Sequence, residues 1–85
     1  MYSIRFEKEI HLTNHAKQRM IERSFNTVLL LDLIELGEIR FKDESKCWIA
    51  MKFCYRKDNL ISLAISIEDK LVIKTVMHYF SWEVN

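Results

Sequence analysis

His15, Arg19 and Arg23 stand four residues apart. On a helix that spacing draws one stripe of side chains. The stripe drifts by about 40° per step, because four residues overshoot a 3.6-residue turn. Two guanidiniums in such a stripe offer forked donors to phosphate or carboxylate oxygens. An imidazole beside them can take up or release a proton near neutral pH. Ala16 and Met20 adjoin the stripe and are expected to face the core, so the basic edge borders the buried side, where a cleft can form. Of the two arginines, Arg19 is expected to turn further inward. The same residues also admit a structural reading: arginines on short helices lay their stems on apolar surface and pair with acids, and Glu22, Asp32 and Glu35 are near in sequence.

A second group, Lys74, Thr75 and His78, lies in a run from Leu71 to Phe80 that reads as a strand. Alternation with period 2 sets Lys74 and His78 on one face with Val72, Val76 and Phe80, and Leu71, Ile73, Thr75, Met77 and Tyr79 on the other. Polar side chains interrupting an apolar face mark either its solvent edge or a site. The residues do not point to metal chemistry. His11 and His15 have a helical ligand spacing, but Thr13 or Asn14 caps the helix between them, and neither a Cys pair nor a metalloprotease glutamate completes a set. No cofactor is expected: Gly37 is the single glycine, so there is no Gly-rich phosphate loop. Ser24, Ser62, Ser66 and Ser81 lack a nucleophile elbow or triad.

The elements that must position these residues follow from pattern and punctuation. Thr13 or Asn14 is suited to cap a helix over His15 to Arg23, and Asn26 a second over Val28 to Leu36, with Gly37 in a left-handed position after it. The second helix is apolar nearly all round, leaving only Asp32 and Glu35 polar, so it is expected to fill a groove on the sheet or meet a partner. Glu38 to Lys42, Trp48 to Tyr55, Leu60 to Ile67 and Leu71 to Phe80 read as strands joined by polar turns at Arg56–Asn59 and Glu68–Lys70. Ser3 to Phe6 has the pattern of a short strand. Helices grouped ahead of strands predict an α+β domain, two N-terminal helices packed on a three- to four-stranded antiparallel sheet.

Eighty-five residues are expected to make one domain. An apolar fraction of 49% with no proline argues against disorder. A core of this size is modest, and a homodimer would supplement it. With net charge +1, any affinity for phosphate must come from a local cluster. No apolar run approaches the ~20 residues of a membrane span, and the first residues lack a secretory pattern, so the chain is expected to be cytoplasmic with no membrane partner. Cys47 and Cys54 are seven apart, on opposite faces of an extended strand. They are expected to be two small buried hydrophobes rather than a disulfide.

The run Leu12-Thr13-Asn14-His15-Ala16-Lys17-Gln18-Arg19-Met20-Ile21-Glu22-Arg23 resembles the opening motif of the bacterial family called domain of unknown function 4258. That motif is a hydrophobic residue, Ser or Thr, any residue, His-Ala, two variable residues, Arg-Met, two more, and Arg. A helix ending in Leu36-Gly37-Glu38 and a late strand such as Val72–Val76 also fit. The chain departs from the family at Ser24-Phe25, where Gly-Ile is usual, so Ser24 must take a conformation that glycine enters more cheaply. The family is similar to compact RelE-like and BrnT-like toxins of bacterial toxin–antitoxin systems. The resemblance implies their fold, two helices against a curved antiparallel sheet, and RNA cleavage without a metal, with His15, Arg19 and Arg23 lining the site.

The leading expectation is therefore a toxin-like, metal-independent endoribonuclease. Arg19 and Arg23 would hold the scissile phosphate, His15 or His78 would move the proton, and Lys74 would assist electrostatically. Its partners would be RNA, free or ribosome-associated, and a small antitoxin. The alternative is a non-catalytic interaction module or homodimeric regulatory domain, suggested by the apolar second helix and by Tyr79-Phe80-Ser81-Trp82. A third is a nucleic-acid-binding domain without catalysis, whose affinity would fall steeply with salt.

Overall fold

Thr13 and Asn26 begin the two helices, as their side chains predict. The Thr13 hydroxyl accepts from the Ala16 amide at 3.1 Å, and Asn26 Oδ1 accepts from the Leu29 amide at 2.9 Å. Each satisfies a donor that the first helical turn cannot pair internally. In this computed structural model, which describes residues 1–82, the elements are β1 (Tyr2–Ser3), β2 (Lys8–Leu12), α1 (Asn14–Glu22), α2 (Thr27–Leu36), β3 (Glu38–Phe41), β4 (Lys46–Lys52), β5 (Leu60–Ile67) and β6 (Leu71–Phe80).

The sheet corrects the expected architecture. It has six strands in the order β1-β2-β6-β5-β4-β3 and is mixed, not a three- to four-stranded antiparallel sheet. Strands β3 to β6 form the expected antiparallel meander. The addition is β2, which runs parallel to β6 and pairs Ile10 with Leu71, His11 with Val72 and Leu12 with Ile73. β2 reads Lys-Glu-Ile-His-Leu, and only Ile10 in it is buried. So short a run with one core residue carries too little alternation to declare itself a strand. The N-terminal strand is also displaced: β1 is Tyr2–Ser3, antiparallel to β2, and the expected strand residues Ile4 to Phe6 form the turn between them.

That turn is held by Glu35. Its carboxylate accepts from the Ile4 amide at 3.0 Å and the Arg5 amide at 2.8 Å. Arg5 Nη1 in turn donates to the Ile34 and Gly37 carbonyls at the end of α2, at 3.1 and 2.7 Å. A cation over the last carbonyls of a helix is favoured by the dipole and satisfies acceptors the helix cannot. Glu35 is thus committed to the N-terminal turn and is not a partner of the basic stripe.

Both helices lie on one face of the sheet, α1 over β6 and β2, and α2 over β4. Between them and the sheet lie Ala16, Met20, Phe25, Leu30, Leu33 and Ile34 from the helical layer and Ile49, Ile61, Leu63, Ile65, Leu71, Ile73 and Val76 from the strands. Leu30, Leu33 and Ile34 are fully buried, while Val28 and Leu36 are exposed, so α2 buries one broad face and leaves its ends in solvent. Cys47 sits in the core and Cys54 is exposed, which corrects the expectation that both are buried.

Gly37 is needed for space and not for a left-handed turn. Its φ of −70° and ψ of 165° are open to any residue. A Cβ there would lie 2.6 Å from Ile49 Cγ2 and 2.6 Å from the Leu33 carbonyl oxygen. One of these neighbours is backbone and the other a branched core side chain, so neither yields cheaply. Gly37→Ala is expected to destabilise the fold by about 1–3 kcal/mol, the usual range for overpacking. In an 85-residue chain that lowers the thermal midpoint by about 4–8 °C per kcal/mol. A melt coinciding with that of the wild type would refute the close approach.

Candidate functional site

The phase of β6 decides which of the sequence-predicted residues meet. Along β5 and β6, Ile67 pairs with Leu71, Ser66 with Val72 and Ile65 with Ile73, but Ala64 pairs with Thr75. Lys74 is therefore an extra residue, a β-bulge, and beyond it every side chain changes face. Val76 continues the buried row of Leu71 and Ile73, and His78 follows it onto the helical side. Lys74 stays on the opposite side, beside Trp48, Ala64 and Ser66. The expectation that Lys74 and His78 share a face is thereby corrected. Alternation does not reveal this bulge, because Val72 and Met77 are apolar as well and hide the change of phase.

His78 meets the C-terminal end of α1. Arg23, Ser24, Arg56, Asp58, His78 and Tyr79 are among the residues that line a trough of about 380 Å³, within the range of small-ligand clefts. A larger apolar hollow of about 750 Å³ lies between the helices, lined by Leu12, Met20, Ile21 and Phe25 with a few polar residues. It contains none of the residues singled out for chemistry.

Within the trough the two arginines are in different states. Arg56 is fully engaged. Its Nε and Nη2 donate to the Asp58 carboxylate at 3.0 and 2.7 Å, Nη2 also donates to the Arg23 carbonyl at 2.9 Å, and Nη1 donates to the Ser24 carbonyl at 3.2 Å. It thus ties the turn after β4 to the end of α1. Ser24 has φ 50°, the left-handed conformation expected for it, which glycine enters more cheaply. Arg23 is largely buried, yet its Nε and Nη1 have no hydrogen-bond partner. The nearest negative charge is Glu22 Oε1, 3.6 Å from Nη1 and already accepting from Arg19 at 2.6 Å. Two guanidinium nitrogens sealed from solvent without a hydrogen bond are costly, and an anion in the trough would meet Arg23 through its charge.

His78 Nδ1 lies 3.6 Å from Asp58 Oδ2. Asp58 thus faces one ring nitrogen and leaves Nε2 as the one to meet a ligand. Its hydrogen bond with Arg56 holds the Asp58 carboxyl below the usual carboxylate range, against the opposing effect of desolvation, and the same bond raises Arg56. Asp58 therefore stays ionised at neutral pH and serves as a fixed negative support. Since its folded value lies below the unfolded one of about 3.9, its contribution to stability is present above about pH 4 and is lost as pH falls towards the depressed value. Urea unfolding at pH 7, 5, 4 and 3 is expected to show a steeper acid loss in the wild type than in Asp58→Asn. Parallel profiles would contradict the assignment.

The other sequence-predicted residues lie elsewhere. His15 is exposed near the start of α1, about 12 Å along the helix axis from Arg23 at 1.5 Å per residue. Arg19 is the more exposed arginine, its side chain 38% accessible against 18% for Arg23, which reverses the expected order. Of the five candidates, Arg23 and His78 converge, Arg19 joins them through Glu22, and His15 and Lys74 lie outside the trough. Sequence reasoning missed Arg56, Asp58 and Tyr79. The first two sit in a stretch read as a polar turn, where only an Arg-x-Asp spacing hinted at a pair.

Two helices covering one face of a mixed six-stranded sheet, with a cationic trough where α1 ends beside a bulged β6, define a small α+β domain. The chain belongs to the family described as domain of unknown function (DUF4258), whose model matches residues 12–78. That span runs from β2 to His78 and contains Arg23, Arg56 and Asp58. No curated protein and no solved structure matches the chain. Among the described residues, no helix is long and apolar enough to cross a membrane.

Proposed function

We propose that the chain is an RNA-directed, toxin-like protein, a metal-independent endoribonuclease acting at the Arg23–His78 trough. The observation that supports this reading is the Arg23 guanidinium, whose Nε and Nη1 make no hydrogen bond, in one trough with an imidazole backed by Asp58. His78 Nε2 takes the proton of a ribose 2′-hydroxyl as O2′ attacks phosphorus. The P–O2′ bond forms and the P–O5′ bond breaks. Arg23 balances the charge that builds on the non-bridging oxygens. His78 then passes its proton to the departing O5′, leaving a 2′,3′-cyclic phosphate and a 5′-hydroxyl. The proposed likeness to RelE-like and BrnT-like toxins concerns activity only, and a small antitoxin is proposed with it as partner.

The test is incubation of the purified chain with RNA, free and ribosome-bound, in the presence of chelator. Cyclic-phosphate ends that persist with chelator support the reading. Intact RNA in both forms removes it.

A second reading, a non-catalytic interaction module or homodimer, is favoured by the apolar hollow between the helices, by Ile21 in its lining, 77% exposed, and by Val28, 68% exposed. Light scattering over a range of concentrations separates the two: a mass that stays that of one chain counts against self-association.

A further inference from the structure

Tyr79 is shaped in a way the reaction above does not use. The residue is 69% exposed, although it lies within a strand whose neighbours Val76 and Phe80 are covered or half-covered. Its φ is 52°, a left-handed conformation that is uncommon for any residue with a side chain and an outlier for a bulky one. The register of β5 and β6 shifts here as well: Ser62 pairs with Met77 but Leu60 pairs with Phe80, so one more residue is inserted in β6. The arrangement is held, since the Tyr79 amide donates to the Asp58 carbonyl at 2.9 Å and Asn59 Nδ2 donates to the Phe80 carbonyl at 2.8 Å. Asp58 thus supports both neighbours at once, His78 through its carboxylate and Tyr79 through its backbone.

Strained backbone that the surroundings enforce is concentrated at functional positions. The strain here sets an aromatic ring in solvent at the rim of the trough, with its centroid 4.9 Å from that of His78. A hydrophobic explanation fails, because the ring is not buried.

We propose that Tyr79 is a stacking platform for a nucleobase, so that the trough takes single-stranded nucleic acid with one unstacked base on Tyr79 and the adjoining phosphate on Arg23. This rests on the phosphate-binding part of the function proposed above. Every base has a π-face, so the platform selects for single strands and not for a particular base. A duplex keeps its bases stacked on one another and cannot offer one without paying to unstack it.

The experiment uses a 2′-deoxy oligonucleotide of eight thymidines, which lacks the attacking hydroxyl and cannot be cleaved by the route above, and an abasic oligomer of the same length. Fluorescence anisotropy gives both affinities for the wild type, Tyr79→Phe and Tyr79→Ala. Tyr79→Ala is expected to weaken binding of the thymidine oligomer roughly five- to hundred-fold, the usual worth of one aromatic–base stack. Binding of the abasic oligomer is expected to change by less than about twofold, and Tyr79→Phe to behave as wild type. A loss shared equally by both oligomers, no loss with either, or no binding by the wild type overturns the platform. If RNA is never cleaved yet the thymidine oligomer shows this pattern, the platform stands and the ribonuclease reading falls.

Discussion

Arg23→Ala is expected to slow RNA cleavage by about 10²- to 10³-fold and His78→Ala by about 10²- to 10⁴-fold, while His15→Ala and Lys74→Ala stay within about fivefold of wild type. The contrast follows from burial and not from residue type. Arg23 and His78 line one trough, and the Arg23 side chain is mostly covered, so its charge is screened less than one in bulk solvent. His15 and Lys74 are exposed, on the far end of the helix and the far side of the sheet, where water and salt screen them. Arg23→Lys discriminates further. A lysine keeps the charge but not the fork, so it is expected to recover only part of the rate. Rates measured under single-turnover conditions, with thermal midpoints of each variant alongside, separate lost chemistry from lost folding. Equal losses in all four alanine variants would show that the site has been misplaced.

Arg56→Met is expected to cost about 2–4 kcal/mol of stability. Removing one partner of a buried ion pair costs about 3–5 kcal/mol, and hydrogen bonds to charged groups contribute about 1.5–3 each. The lower part of the combined range applies, because the Arg56 and Asp58 side chains keep 16% and 10% of their surface in solvent. The loss has three sources: Asp58 left as an uncompensated carboxylate, and the carbonyls of Arg23 and Ser24 left without their donor. For a chain of 85 residues, each kcal/mol lowers the thermal midpoint by about 4–8 °C. Asp58→Asn alone is expected to cost less, since an amide oxygen can still accept from Arg56. The double variant should fall short of the sum of the two, because both remove one interaction. A midpoint for Arg56→Met within a degree or two of wild type would mean that the turn after β4 is held by something else.

Much of the local structure was legible because single residues announce it. Thr13 and Asn26 are short polar side chains in front of apolar periodicity, and both cap helices. The alternation from Leu60 to Ile67 and the run from Leu71 to Phe80 match β5 and β6 end to end. The long-range pairing was not legible. β2 has one buried residue, and its partner β6 is some sixty positions away, so nothing local distinguishes it from loop. Gly37 ends α2 as its place in the sequence predicts, but what requires glycine there is the close approach of Ile49 and the Leu33 carbonyl, which no local pattern reveals. At the site, the stripe of basic residues on α1 was readable from spacing. Which of them faces a cavity depended on where β6 shifts register, and the phase change is masked because Val72, Met77 and Tyr79 keep the other phase apolar or aromatic. Arg56 and Asp58 were hidden for a related reason: a polar turn reads alike whether its charges are solvated or, as here, folded back onto a helix end.

An anion held between Arg23 and His78 is to be detected by nitrogen-15 NMR of the side chains, following the Arg23 Nε and the His78 ring nitrogens during titration with the uncleavable thymidine oligomer. Saturable shifts at both residues, with the His15 ring and the Lys74 amine unmoved, are the expected result. Shifts confined to His15 or Lys74, or none at any of the four at millimolar oligomer, would contradict it.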